Sequence, residues 1–151
     1  VAEQMDWVHS VDSLRLATRL DRFAGERGKR LPVLLELNVS GEASKEGYPA
    51  WDEDTLGAFL DQEVAPLGGL AFLDVRGLMT VAPIVSQPEQ ARPFFQRLRA
   101  VRDLLRAQHP FSAWDELSMG MTDDFEVAIE EGATLVRLGR AIFGERPPAA
   151  P

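Results

Sequence analysis

The sequence of 151 residues contains no cysteine. This absence excludes disulfide bonds, thiolate metal ligands and cysteine nucleophiles, and it gives no indication of secretion. The two histidines, His9 and His109, are far apart and show none of the short spacings that are typical of a metal site. Tyrosine occurs only at Tyr48, and lysine only at Lys29 and Lys45. No serine–histidine–carboxylate motif is present, so that class of nucleophilic catalysis is not indicated.

Long apolar runs and an excess of basic residues are also missing. No apolar segment approaches the roughly 20 residues that a membrane-spanning helix needs, and the first residues do not resemble a signal peptide. The 16 basic residues are outnumbered by 24 acidic ones, which gives a net charge of −8. Such a chain lacks the basic surface that nucleic-acid binding requires. We therefore expect a cytoplasmic globular protein with neither a membrane nor a nucleic-acid partner.

What is present is a regular alternation of strand and helix patterns. The predicted strands are Asp6–Val11, Leu31–Val39, Leu73–Val81, Asp115–Ser118 and Thr134–Leu138. The first predicted helix is capped by Asp12 or Ser13. The later helices are predicted at Asp52–Ala65, Glu89–Gln108 and Asp123–Glu131, and a short helical turn is predicted at Arg140–Phe143. We expect Thr122 and Asp123 to cap the helix that follows them.

This alternation predicts an α/β fold, because strands that alternate with helices form a parallel sheet with right-handed crossovers. We expect a partial TIM-type (β/α) barrel of about five parallel strands, forming a single domain over residues 1–144. Five strands cannot close such a barrel, so two hydrophobic sheet edges should remain open. Residues 145–151 are rich in proline and are expected to form a disordered tail.

The stretch LSMGMTDDFEVAIEEGATLVRLGRAIFG contains two glycine turns, each just after a predicted strand. In a parallel barrel both turns open on the face where ligands bind. Ser118, Gly120 and Thr122 offer hydroxyls and backbone N–H groups, and Gly139 and Arg140 repeat the arrangement one unit later. These groups would form a cup for a phosphate dianion. The alternative is that small residues merely permit tight turns.

This stretch and three earlier motifs, DWVHSVDSLRLATRL, NVSGEASKEG and VRGLMTVAP, resemble the pyridoxal phosphate (PLP) homeostasis protein family. Members are single-domain barrels similar to the N-terminal domain of alanine racemase. The resemblance covers about the C-terminal two thirds of the family fold. It implies that the lysine holding PLP as a Schiff base precedes Val1. It also implies a non-catalytic carrier that buffers PLP and delivers it to PLP-dependent apo-enzymes, the intact protein being a monomer.

The resemblance also assigns individual residues to the cofactor. It places the phosphate on the Ser118 hydroxyl and on the N–H groups of Gly139 and Arg140. Arg137 should point inward from its strand if Val136 and Leu138 pack outward. The resemblance sets it against the pyridine nitrogen, while pairing with Glu36 or Asp74 is the structural alternative. The full set of predicted cofactor-binding residues is Ser118, Met119, Gly120, Arg137, Gly139, Arg140, Asn38 and Lys45.

Two of these assignments have simpler alternatives, and Asn38 has a supporting role. Met119 would pack on the cofactor ring, but a buried methionine is more often part of the core. Lys45 would approach the phenolic side of PLP, but it could equally be an exposed loop lysine. Asn38 would help to orient the ring or the loop that follows it.

Two alternatives to the carrier remain open. The chain could be a piece of a PLP-dependent enzyme, a racemase or a decarboxylase, with its catalytic residues elsewhere. A racemase of this fold needs a tyrosine base from a separate domain, which the sequence does not contain. The other alternative is a product without function that folds only in part.

Overall fold

The computed structural model describes residues 6–145 as a half-barrel of parallel strands that alternate with helices. The strands are β1 (Val8–Val11), β2 (Leu31–Asn38), β3 (Tyr48–Pro49), β4 (Leu73–Met79), β5 (Glu116–Met121) and β6 (Leu135–Arg137). The α-helices are α1 (Leu14–Glu26), α2 (Glu53–Phe59), α3 (Ala65–Leu67), α4 (Arg92–Gln108), α5 (Phe125–Glu130) and α6 (Arg140–Phe143). A π-helical turn, Leu60–Val64, joins α2 to α3, and a 3-10 turn, Pro88–Ala91, precedes α4.

The predicted partial barrel is confirmed. Five strands follow the order β1-β2-β4-β5-β6, and every recorded strand pair is parallel. The sequence did not predict β3, a two-residue strand that pairs with the end of β2, because two residues carry no measurable periodicity. Within residues 6–145, β1 and β6 each pair with one strand only, so they form the two open edges that were expected.

Strand β5 continues three residues beyond its predicted end at Ser118 and stops at Met121. Ser118 therefore lies inside the strand, paired with Met79 on one side and with Leu135 on the other. The carboxylate of Asp124 accepts a hydrogen bond of 2.7 Å from the Met121 N–H and closes the turn after the strand. The prediction that Thr122 and Asp123 cap α5 is wrong, because this turn delays the helix to Phe125.

Side-chain caps explain where two other helices begin. The Ser13 hydroxyl accepts a hydrogen bond of 3.3 Å from the Leu16 N–H at the start of α1, as one of the two predicted caps. At the start of α2, Asp52 and Thr55 form a capping box in which each side chain bonds to the backbone of the other. Each cap satisfies N–H groups that have no partner within their own helix.

The hydrophobic core fills the space between the sheet and the helices. It contains alternate residues of β2, the apolar stripe of α4 and two residues of β5. These residues are Val33, Leu35, Leu37, Phe95, Leu98, Val101, Leu105, Leu117 and Met119. Alternation along each strand then places the intervening side chains on the concave face.

The concave face carries polar side chains on most of its strands. Glu36 on β2 is in register with Met79 on β4, which is in register with Ser118 on β5. His9 on β1 and Arg137 on β6 complete this set, which we call the concave row. The side chains of the concave row are buried or half-buried, so they line the inside of the half-barrel.

No helix in residues 6–145 combines the length and the apolar character needed to cross a membrane. Of the predicted disordered tail, only Glu145 falls within the described residues.

Candidate functional site

A cavity of about 530 Å³ opens at the carboxyl ends of β5 and β6. The turns that follow these two strands line it together, which confirms that both open on the same side of the sheet. The residues that carry its polar and aromatic groups are Thr122, Asp123, Arg137, Gly139, Arg140, Phe143 and Glu145. A second cavity of about 370 Å³ lies against it, sharing Met121 and Asp123 with it.

Three hydrogen-bond donors from the two turns are available at the larger cavity. The Thr122 hydroxyl oxygen accepts the Ala141 N–H at 3.2 Å, which leaves the hydroxyl proton free to donate. Within residues 6–145, the N–H groups of Gly139 and Arg140 have no recorded protein acceptor, as expected at the start of a helix. A Cβ on Gly139 would meet no atom within 4 Å, so this part of the backbone is open to a ligand.

The charged side chains at the cavity are already partly paired. The Arg140 guanidinium bonds to the Asp123 carboxylate and lies 3.8 Å from the carboxylate of Glu145. An incoming anion would compete with Asp123 for this guanidinium. The backbone N–H groups of Gly139 and Arg140 form no ion pair, so they remain available to an anion whether or not the Arg140–Asp123 pair separates.

The Ser118 hydroxyl, which was predicted to bind a phosphate, lies away from this cavity. Ser118 is fully buried and is not among the residues that line the cavity. Its hydroxyl lies 2.7 Å from an Arg137 nitrogen and 3.3 Å from the Nδ1 of His9. This placement follows from the end of β5 at Met121, because a serine inside a strand points across the sheet rather than into the turn beyond it.

Gly120 and Met119, which were also predicted to contact the cofactor, both have packing roles in the fold. Gly120 has a φ of +95°, and a Cβ there would lie 2.6 Å from the Cβ of Ala128. This glycine lets α5 pack closely on β5. Met119 is fully buried in the hydrophobic core on the helix side of the sheet, so its side chain faces away from the concave face.

Arg137 does line the cavity and is anchored by three hydrogen bonds. One terminal nitrogen donates to the Ser118 carbonyl at 3.0 Å and to the Ser118 hydroxyl at 2.7 Å, and the other donates to the Thr80 carbonyl at 2.8 Å. No ion pair with Glu36 or Asp74 is formed among the described residues, and Asp74 pairs instead with Arg76. Burial lowers the pKa of Arg137, while Glu36 opposes this shift.

Asn38 and Lys45 do not reach this cavity. The buried Asn38 amide oxygen accepts the N–H groups of Ser40 at 3.2 Å and Gly41 at 3.0 Å, so it orders the loop after β2. The Lys45 ammonium donates to the Val81 carbonyl at 2.7 Å and pairs with Glu42 at 3.0 Å. Lys45 is therefore not a free loop lysine; it lines a separate cavity of about 220 Å³.

The predicted set of site residues omits two that the structure brings to the site. Thr122 was expected in the phosphate cup and as a helix cap but was left out of the full set of cofactor-binding residues, and its hydroxyl contacts the turn after β6. His9 was considered only as a metal ligand, although it contacts Ser118 across the concave face. The alternation of Trp7, Val8 and His9 was the available signal, because it allows His9 to face inward, but the sequence gives no distance to β5.

Comparison with known proteins agrees with this architecture. The family model described as alanine racemase, N-terminal domain, matches residues 1–147. The pyridoxal phosphate homeostasis protein of Aquifex aeolicus is 41% identical over 139 residues, covering 92% of this chain and 58% of that protein. The protein of the same name from Pseudomonas aeruginosa is 41% identical over 151 residues, covering 100% of this chain and 60% of that protein. The chain thus spans about three fifths of these relatives.

Solved structures give the same result. PipY of Synechococcus elongatus PCC7942 without PLP superposes with a TM-score of 0.82 at 36% identity, covering 94% of this chain and 63% of PipY. PipY with PLP bound gives a TM-score of 0.78 at 38% identity, covering 94% and 62%. An alanine racemase of Clostridium difficile 630, with a TM-score of 0.66 at 18% identity, shares the fold, covering 94% of this chain and 37% of the racemase. The chain belongs to the alanine racemase N-terminal domain family.

Proposed function

We propose that the chain binds PLP at the 530 Å³ cavity and serves a protein that buffers and delivers this cofactor without catalytic turnover. The observation that carries the proposal is the convergence of three unused donors on one cavity. These donors are the Thr122 hydroxyl and the N–H groups of Gly139 and Arg140. They suit a phosphate, whose oxygens accept several charge-assisted hydrogen bonds. The relatives named pyridoxal phosphate homeostasis protein support the same cofactor.

The residues at the cavity fit the whole cofactor, not only its phosphate. Arg137 lines the same cavity, and its three recorded bonds leave two of the five N–H donors of a guanidinium for a ligand. With the phosphate on the two turns, the pyridine nitrogen would face Arg137. Thr122 and Gly139 therefore hold the phosphate, and Arg137 orients the ring.

The charge of Arg137 favours holding PLP over driving reactions with it. When bound, PLP supplies an electron sink for carbanion chemistry, and this sink is strongest when the pyridine nitrogen is protonated. A guanidinium beside that nitrogen disfavours its protonation. Tyr48 is a poor general base, because its hydroxyl is buried and burial raises its pKa.

A titration followed by nuclear magnetic resonance tests the binding site. Inorganic phosphate and PLP should each shift the amides of Thr122, Gly139 and Arg140. Two or three hydrogen bonds to the phosphate, worth about 1.5–3 kcal/mol each before ordering costs, should give a Kd on the order of millimolar. Thr122→Val should weaken phosphate binding about tenfold, the equivalent of roughly 1.4 kcal/mol.

The matched control is Thr18→Val, since the Thr18 hydroxyl donates to the Leu14 carbonyl on the exposed side of α1. It should leave phosphate binding unchanged. Shifts confined to the loop at Lys29 and Arg30 would contradict the proposed site.

To test for catalysis, the chain and PLP are incubated with L-alanine in deuterated water. Exchange of the alanine α-proton faster than with PLP alone would contradict the carrier role.

A further inference from the structure

His9, on the first strand of the half-barrel, contacts the fifth strand across the concave face. Its Nδ1 lies 3.3 Å from the Ser118 hydroxyl, although β2 and β4 separate the two strands in the sheet. The same hydroxyl lies 2.7 Å from Arg137 on β6. Three side chains from three strands thus form a continuous chain that ends at the cavity.

The direction of these hydrogen bonds follows from the chemistry of the three groups. A guanidinium has no acceptor, so Arg137 donates to the Ser118 oxygen. The serine has one proton of its own, and the Nδ1 of His9 is the remaining partner within bonding distance. The arrangement in which the serine proton is also used has Ser118 donating to His9, whose Nδ1 then carries no proton. In this arrangement the histidine is neutral, with its proton on Nε2.

The charges around His9 favour the same form. Burial lowers the pKa of His9, and the positive charge of Arg137 lowers it further, while Glu116 acts in the opposite direction. The Trp7 ring packs edge-on against the imidazole, with 5.9 Å between centroids, and contributes no charge. If His9 were protonated, both its Nδ1–H and Arg137 would donate to one serine oxygen, and two cations would face each other.

We propose that His9 is a positioning residue for Arg137. By accepting a hydrogen bond from the Ser118 hydroxyl, His9 fixes the rotation of that hydroxyl. A lone pair of the serine oxygen then points to the Arg137 guanidinium. Arg137 is then held at the cavity wall with two N–H donors still free. This proposal rests on the proposed function in one respect, namely that the free donors meet the pyridine nitrogen of PLP.

Nuclear magnetic resonance of the imidazole tests the hydrogen-bond chain without any cofactor. A long-range ¹⁵N–¹H spectrum of the free protein at pH 7.5 should show Nδ1 of His9 unprotonated and Nε2 protonated. Ser118→Ala should convert His9 to a mixture of tautomers, whereas Ser118→Thr, which keeps a hydroxyl, should preserve the single tautomer. A protonated Nδ1 in the unmodified protein would overturn the proposal.

A comparison of ligands tests whether His9 acts on the cofactor ring. PLP carries a phosphate and a pyridine nitrogen, whereas benzyl phosphate carries a phosphate and a ring without nitrogen. His9→Phe should weaken PLP binding about three- to tenfold and leave benzyl phosphate binding unchanged. His9→Asn, whose amide oxygen can take the place of Nδ1, should restore most of the preference for PLP. His109→Phe is the matched control and should change neither affinity.

The outcomes separate the two proposals. If the unmodified protein binds neither compound, the proposed function fails, and the imidazole spectrum still decides the hydrogen-bond chain. If His9→Phe weakens both ligands equally, His9 has only a structural role and the positioning proposal is overturned. The same holds if His9→Phe leaves both affinities unchanged.

Discussion

Replacing Gly120 with alanine should destabilise the fold strongly. An added Cβ would lie 2.6 Å from the Cβ of Ala128 and 3.0 Å from the Cα of Phe125, where ordinary contacts are 3.4–4 Å. Helix α5 would have to move away from β5, and overpacking of this kind costs about 1–3 kcal/mol. The left-handed φ of +95° adds about 1–2 kcal/mol for any residue with a Cβ. The expected loss in the free energy of unfolding is about 2–5 kcal/mol.

Denaturant unfolding followed by circular dichroism measures this loss. Gly57→Ala is the matched control: Gly57 lies in α2 with a negative φ, and a Cβ there would meet no atom within 4 Å. Alanine should stabilise that position by roughly 0.5–1 kcal/mol. Ala128→Gly removes the closest contact, so it should recover part of the loss in the Gly120→Ala background. The strained φ and the contact with Phe125 would remain.

An unchanged unfolding free energy for Gly120→Ala would refute this reasoning. If the same variant also lost phosphate binding, Gly120 would belong to the ligand site, as the sequence alone indicated. A double-mutant cycle gives a second check, because Gly120→Ala and Ala128→Gly should couple favourably by about 1 kcal/mol. Additive effects would mean that the two residues do not meet.

Three further predictions concern buried polar groups. Tyr48→Phe should be neutral or stabilise the fold by up to about 1 kcal/mol, because the buried hydroxyl has no hydrogen-bond partner among the described residues; thermal unfolding would show any loss. Glu131→Gln should destabilise the fold by about 1.5–3 kcal/mol, because it removes the charge paired with Arg92 at 2.8 Å. Burial raises the pKa of Glu36 above 4.5, so its carboxylate opposes folding as the pH rises through that raised value. Glu36→Gln should therefore stabilise the fold at pH 7 and have less effect below pH 4.5. A stabilisation independent of pH would contradict this.

The lowered pKa of His9 predicts a second pH dependence of opposite sign. Because its folded pKa is below the ordinary value of 6.5, its contribution to stability is complete above pH 6.5 and is lost as the pH falls through the folded value. Unfolding curves between pH 7.5 and pH 5 should therefore show a decline that is smaller in His9→Phe. Equal declines in both proteins would show that His9 does not titrate differently in the folded state.

The sequence predicted the order of the elements well because each long element has a clear period. The α4 stripe of Phe95, Leu98, Val101 and Leu105 is fully buried, as a period of 3.6 residues requires. Strand ends were less predictable. The run SMGM contains a glycine, which is typical of a turn, but here the glycine serves the close packing of α5 on β5, and the strand continues to Met121.

That one boundary determines where Ser118 and Thr122 lie relative to the cavity. A strand that ended at Ser118 would place the serine hydroxyl in the turn. Because β5 ends at Met121, the Ser118 hydroxyl instead contacts Arg137, and Thr122 lines the cavity. Arg137 was predicted to face inward because alternation holds even in a three-residue strand. Its actual partners, carbonyls of Thr80 and Ser118, could not be predicted, since they depend on how the sheet curves.

The bonds of Arg137 connect the candidate site to the open edge of the sheet. Strand β6 has three residues and pairs only with β5 among the described residues, so few backbone bonds hold it in place. The guanidinium compensates by bonding across β5 to the Thr80 carbonyl just beyond β4, at 2.8 Å. Lysine could not replace it, because one ammonium cannot present the fork of donors that spans two strands. The side chain that lines the cavity therefore also secures the edge strand.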